Sequence, residues 1–252
     1  MSIRITGGIF CGRLLDVPKK GVRPTQDKVR AAIFSSLQSV VPGAKVLDLF
    51  AGTGAFGLEA LGRGAEFVCF VENDPKTLAC LKKNAERLTG QDGQKWRIVR
   101  SDVGHFLAES PIPANQLPKS FRNPPWPLAT PPQEGNSDQN PLLGGVRDLS
   151  LRSDCAKGEA GGGSVYDVIF ADPPYDSAGE WTKKILFHLE KKPILNEKGF
   201  LIIESGAKAP LIETGFWRVS WERIYGETRI CMYKVHRSRF GVQGYSNPTP
   251  ER

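Results

Sequence analysis

The chain has 252 residues and a hydrophobic fraction of 40%, enough for one well-filled core, so one domain with an appendage at most is expected. Its net charge of +7 and pI near 9.2 admit a polyanionic partner without requiring one. Five scattered cysteines, with no CxxC pair and no Cys/His cluster, exclude a disulfide framework and a zinc site and fit a reducing cytosol; with no apolar run of spanning length and no apolar leader, a cytoplasmic protein without a membrane or metal partner is expected.

Residues 1–40 read as a basic extension followed by a helix. The first 30 residues hold seven Lys or Arg against two Asp. Gly7-Gly8, Gly12, Pro18, Gly21 and Pro24 break this stretch into short extended pieces, a hairpin among them. It is either a solvated arm or a surface that neutralises nucleic-acid phosphates. From Thr25 to about Ser39, Val29, Ala32, Ile33, Leu37 and Val40 fall at helical spacing, bounded by Pro24 and Pro42-Gly43.

The stretch Val46–Gly57, VLDLFAGTGAFG, predicts a buried strand, a tight glycine turn and the start of a helix. Unpaired N–H groups at such a helix start are offered to a ligand. Phe67–Val71 predicts a second strand ending in Glu72, and Asp74-Pro75 an N-cap and first helical position. Trp96–Arg100 predicts a third strand, ending at Ser101-Asp102, with a short helix beginning near His105. This alternation implies parallel strands with crossover helices, a doubly wound α/β sheet.

Residues 109–164 break the rhythm. Nine of the 19 prolines lie between Pro111 and Pro141, and the segment ends in GEAGGGS. Such composition predicts a disordered surface insertion. The fold resumes with a strand, Tyr166–Ala171, that delivers Asp172-Pro173-Pro174-Tyr175. A helix from about Ala178 to Lys191, a strand from Gly199 to Glu204, and an antiparallel pair over Arg218–Tyr225 and Arg229–Val235 complete the pattern. Residues 241–252 read as a flexible tail.

Gly52, Gly54 and Gly57 match G-x-G-x-x-G, whose common reading is a dinucleotide site. Asp48 inside the preceding strand is poorly placed for a pyrophosphate and well placed for an α-amino cation, and no hydride-transfer constellation follows. Asp48, Glu72, Asp102 and Asp172 all lie within or just after strand ends, where ligands of open α/β sheets bind; acids there can also simply cap the next helix. The Asp-Pro-Pro-Tyr turn fits an exocyclic base amine. Asp172 and the Pro173 carbonyl would accept its N–H groups, the proline rings would hold that carbonyl rigid, and Tyr175 would stack on the base. These features point to methyl transfer from S-adenosylmethionine by orientation and preorganised electrostatics.

Several stretches together carry a family resemblance: RITGG with Gly12-Arg13, GVRPT with Lys28-Val29-Arg30, VLDLFAGTGAFGLEALGRGA, IFADPPY, and the weaker Tyr225-Gly226-Glu227-Thr228-Arg229. The chain resembles the RsmD family of bacterial 16S ribosomal RNA (guanine-N2) methyltransferases over about residues 3–107 and 165–235. The resemblance implies a Rossmann-like class I methyltransferase with a seven-stranded, mostly parallel sheet over residues 41–240 and a small basic N-terminal extension. It implies that Asp48 with Phe50, Ala51, Gly52, Thr53, Gly54 and Gly57 holds the methionine part of S-adenosylmethionine, Glu72 and Asn73 the ribose, and Asp102 and Val103 the adenine. Asp172, Pro173, Pro174 and Tyr175 would hold the guanine. Arg4, Arg13, Arg23, Thr25, Lys28, Arg30, Tyr225 and Arg229 would contact small-subunit ribosomal RNA, in an assembled or assembling 30S particle with ribosomal proteins, the enzyme acting as a monomer. Ala31 stands where the family usually has an acid, Thr53 replaces a common serine, and the insertion widens the spacing of Asp102 and Asp172. Two other readings stay open: an adenine-N6 methyltransferase on DNA or RNA, and a non-catalytic RNA-binding assembly factor.

Overall fold

The structure, a computed structural model, describes residues 3–18, 27–90, 95–108, 166–174, 179–192 and 194–236. The predicted insertion and tail lie outside these residues, as do Arg23, Thr25 and Tyr175. The chain opens with β1 (Ile3–Arg4), a 3-10 turn at Gly8–Phe10, β2 (Leu14–Leu15) and α1 (Asp27–Ser36). β3 (Lys45–Leu49), α2 (Ala55–Gly62), β4 (Phe67–Glu72), α3 (Pro75–Thr89), β5 (Trp96–Arg100) and α4 (Val103–Ala108) follow. β6 (Tyr166–Ala171), α5 (Glu180–Lys191), β7 (Leu195–Gly206), β8 (Trp217–Tyr225) and β9 (Thr228–Val235) complete the fold.

β1 and β2 form the small antiparallel hairpin expected of the arm, and the other strands make one seven-stranded sheet in the order β5-β4-β3-β6-β7-β9-β8. Strands β3 to β7 pair with one another in parallel, and β9 inserts antiparallel between β7 and β8. The strand order reverses between β3 and β6. That switch point opens a crevice at the carboxyl ends of the strands, where such sheets bind ligands.

Parallel strands covered on both faces read as unbroken apolar runs, and β3 shows why. Val46 faces one layer, with Phe34, Phe56, Leu58, Phe70, Phe170 and Ile202. Leu47 and Leu49 face the other, with Cys69, Val71, Ile169, Leu201, Ile185 and Leu189. The basic extension is part of the first layer: Ile3, Ile5, Leu15, Val29 and Ile33 are buried in it. Local chemistry sets the helix starts. Asp74 accepts from the Thr77 amide and hydroxyl, each at 2.7 Å, with Pro75 in the first turn of α3. Among the described residues, no helix is long and apolar enough to cross a membrane.

Candidate active site

The site is a row of residues along the carboxyl edge of the sheet. Leu49 pairs with Val71 on one side and Ala171 on the other, and Ala171 pairs with Ile203. One residue further along the four strands stand Glu72, Phe50, Asp172 and Glu204, side by side. Alternation along a strand puts Glu72 and Glu204 on the face that holds Phe70 and Ile202, and Asp172, just past β6, is near enough to Asp48 to act on its charge. Asp48, two residues before Phe50, lies on the same face, 3% exposed.

Phe50 breaks that alternation. Its φ of 58° puts a residue other than glycine in the left-handed region, at a cost of roughly 1–2 kcal/mol. The turn packs the side chain against the opposite layer. There its ring meets that of Trp181 edge-on, centroids 4.9 Å apart and planes at 81°. Strain of this kind collects at functional sites; here it takes a bulky ring off the face on which the carboxylates converge.

The glycine turn is built around two of those carboxylates. Asp48 Oδ2 accepts the Gly57 amide at 2.9 Å, across the first turn of α2. Glu72 Oε2 accepts the Gly52 amide at 2.9 Å, and its Oε1 accepts the amides of Asn73 at 2.8 Å and Asp74 at 2.7 Å. Two of the three glycines are required by packing. A Cβ on Gly54, whose φ is +86°, would meet Leu81 at 2.3 Å, and one on Gly57 would meet Phe70 at 2.2 Å. Burial pushes the Asp48 carboxyl well above the usual carboxylate range; the Gly57 amide opposes this and the nearby Asp172 and Glu72 charges reinforce it.

Above this row lies a cleft of about 1140 Å³. Of the residues expected to hold a cofactor, Phe50, Ala51, Gly52, Thr53, Glu72, Asn73, Asp102 and Val103 line it. Asp48, Gly54 and Gly57 are not part of that lining. Asp172, Pro173 and Pro174 form its far side. Asp102 also accepts the His105 amide at 3.1 Å, so it caps α4 as well as facing the cleft. Sequence reasoning missed several wall residues: Trp181 and Thr182 from α5, Glu204 to Gly206 from the end of β7, and Glu227 and Thr228 from the β8–β9 turn. Trp181 was legible only as a helix-face residue. Glu204 stood as the last residue of a predicted strand, the same signal that picked out Glu72.

The N-terminal arm reaches the cleft through Ile3, which lines it. Arg4, Arg13 and Lys28 are exposed. Arg30 is not, and its expected RNA contact is corrected: it is fully buried, with Nε 2.9 Å from Glu59 Oε2 and Nη2 3.0 Å from Asp27 Oδ1, and it also donates to the Arg4 carbonyl. A guanidinium enclosed in this way cannot reach a phosphate. Glu59, also fully buried, accepts in addition from Arg63 at 2.7 Å and from the Thr6 amide at 3.1 Å. Arg229 is likewise used within the fold. Its Nε lies 3.0 Å from Glu222, its guanidinium donates to the Ala209 carbonyl, and its side chain is 15% exposed. Tyr225 is half-buried against the first core layer. A further link was not legible in sequence: buried Asn84 accepts the Asp16 amide at 2.8 Å and donates to the Asp16 carbonyl at 3.0 Å and to the Thr53 carbonyl at 3.2 Å. It ties the arm to the glycine turn.

Known proteins resemble this chain. The Escherichia coli protein named ribosomal RNA small subunit methyltransferase D is 42% identical over 126 residues, which are 50% of this chain and 61% of that protein. The chain thus aligns with less than two thirds of that relative's length. The Buchnera aphidicola protein of the same name is 26% identical over 92% of this chain and 93% of its own. Among solved structures, an Escherichia coli protein described as a candidate methyltransferase, yhhF, superposes with a TM-score of 0.65 at 26% identity, covering 93% of this chain and 98% of that one. A family model described as conserved hypothetical protein 95 matches residues 3–131 and 150–234, and its one break falls within the proline-rich insertion. Since that match takes in the arm, the glycine turn and the Asp172-Pro173-Pro174 turn alike, the chain belongs to this family, the RsmD family.

Proposed function

We propose that this chain transfers a methyl group from S-adenosylmethionine to the N2 amine of a guanine in small-subunit ribosomal RNA. The observation that carries the proposal is the cleft itself: a glycine turn braced by Asp48 and Glu72 faces Asp172, Pro173 and Pro174 across one cavity. The names of the relatives support the substrate class.

The residues present fit the cofactor. Asp48, Glu72 and Asp172 lie close enough that the last two raise the first one's pKa. A pyrophosphate would be repelled there, whereas a ligand carrying ammonium and sulfonium cations would relieve the repulsion. Phe50 to Thr53 would hold the methionine part, Glu72 and Asn73 the ribose, and Asp102 and Val103 the adenine. Bound there, the cofactor supplies an electrophilic methyl group.

The chain's own task is to make a poor nucleophile react. The lone pair of a guanine amine is delocalised into the ring. Asp172 and the Pro173 carbonyl accept the two N2 hydrogens and so draw electron density back onto nitrogen, with Tyr175 stacked on the base. Asp172 then takes the proton that nitrogen sheds. Such orientation and preorganised acceptance of hydrogen bonds account for the catalysis, without a covalent enzyme intermediate. A paired base must first leave its helix. The exposed Arg4, Arg13 and Lys28 would hold the RNA backbone, within a 30S particle or its precursor, in the cytoplasm, with the enzyme as a monomer.

The test is to incubate the protein with methyl-labelled cofactor and unmodified small subunits, then identify the labelled nucleoside. Label in N2-methylguanine is the expected result, and Asp172→Ala should abolish it while cofactor affinity persists. Label in N6-methyladenine, or none with the cofactor bound, would replace this reading with one of the alternatives.

A further inference from the structure

The proposed cofactor contacts leave the cleft wall beyond Asp172 without an assigned role. Ala171 and Ile203 are the last parallel pair of β6 and β7; Asp172 follows just past the end of β6, and Glu204 continues β7. Both residues line the cleft. Glu204 is half-buried and is held from its other side by β9, where its partner is the buried Ile230. Glu204 lies on the side of Asp172 away from the glycine turn. The order across the sheet is Glu72, Phe50, Asp172, Glu204.

Resting on the guanine reading, we infer that Glu204 is the residue that selects guanine over adenine, by accepting the base's N1–H while Asp172 accepts from N2. The chemistry of the base edge motivates this assignment. Guanine presents two adjacent donors, N1–H and the N2 amine. Adenine places a bare N1 lone pair beside its N6 amine. Asp172 and the Pro173 carbonyl accept from any exocyclic amine, so they cannot tell the two bases apart. A second carboxylate one strand over meets a donor in guanine and a lone pair in adenine. It rewards the first and repels the second, as paired acceptors and donors do wherever bases are read by their edges. The longer Glu side chain starts further from the amine than Asp172 and has one more methylene with which to reach the neighbouring ring position.

Two variants test this. Glu204→Gln keeps size and shape but offers both an acceptor oxygen and a donor NH2, so it tolerates adenine. Glu204→Ala removes the carboxylate altogether. Both are assayed with labelled cofactor on unmodified small subunits and on short single strands containing guanine or adenine. Cofactor affinity is measured in parallel by calorimetry and folding by thermal unfolding. The expected result is cofactor affinity within about twofold of wild type, guanine labelling down roughly 10- to 100-fold in both variants, and an adenine-to-guanine product ratio that rises in Glu204→Gln. A merely structural role would not move that ratio. Wild-type label in guanine, with unchanged rate and ratio in both folded variants, would overturn the role of Glu204 alone. Wild-type label in another base would overturn the guanine reading and this inference with it.

Discussion

The carboxylate of Asp48 and the amide of Gly57, nine residues apart in sequence, meet at 2.9 Å beneath the glycine turn. One buried acid therefore shapes, from beneath, the loop that the cofactor is proposed to touch.

That burial sets a pH dependence. Because burial raises the Asp48 carboxyl well above the usual carboxylate range, the ligand-free protein loses stability as pH rises from that range through the raised value. A cationic ligand prefers ionised Asp48, so cofactor affinity should rise over that same window and then level off. Calorimetry over a pH series that starts in the usual carboxylate range and runs upward should show this rise with proton release on binding. Asp48→Asn should remove both and weaken binding roughly 10- to 100-fold, while stabilising the free protein at neutral pH. Affinity that is flat with pH in the wild type would separate Asp48 from the cofactor.

The Arg30–Glu59 pair, both side chains fully buried and 2.9 Å apart, joins α1 to α2. Removing Glu59 leaves buried Arg30 with Asp27 and the Arg4 carbonyl, and removing Arg30 leaves buried Glu59 with Arg63 and Thr6, at a cost of up to about 3–5 kcal/mol. Glu59→Ala should lower the urea midpoint accordingly. Arg30→Ala should do the same, with no change in the salt dependence of RNA binding beyond what reduced stability explains. A folded Arg30→Ala protein of normal stability with a shallower salt slope would restore the phosphate interaction that its burial excludes.

The exposed cations of the arm should behave differently. Arg4→Ala, Arg13→Ala and Lys28→Ala should each leave thermal stability nearly unchanged. Each should reduce the salt slope of RNA binding by roughly 0.7–0.9 for every phosphate that it ceases to neutralise. Filter binding across a salt series gives the slope. A combined variant with wild-type slope would move the RNA track elsewhere on the surface.

Deletion of about residues 112–162 should leave cofactor affinity within about twofold, because none of the residues proposed to hold the cofactor lies in that segment. A tenfold loss would show that the insertion contributes to the site.

Much of this architecture can be read from local sequence. Strands buried on both faces advertise themselves as apolar runs, as Val46–Leu49 and Tyr166–Ala171 do, and Asp74-Pro75 announces the start of α3. The alternation of these signals requires the doubly wound sheet, and the rule that ligands bind at strand ends selects Glu72, Asp102 and Asp172 without coordinates. Arg30 shows where local reading fails. It occupies the first position of the stripe Arg30, Ile33, Phe34 and Leu37, all buried, yet a cation in a basic segment reads as solvated. Its burial is made tolerable by Glu59, 29 residues later, together with Asp27 and the Arg4 carbonyl. The same holds for Asn84, whose partners Asp16 and Thr53 lie far away in sequence, and for Phe50, whose left-handed turn follows from Trp181 and the crowding carboxylates. The placing of Asp172 and Glu204 on one cleft wall belongs to this class too. Parallel register is decided by how two strands 32 residues apart (Ala171 and Ile203 in one pair) pack their faces against common layers. Sequence determined which residues are candidates for the chemistry and which elements deliver them; tertiary structure decided which of those groups share a cavity, because charge and register gain their meaning from neighbours distant along the chain.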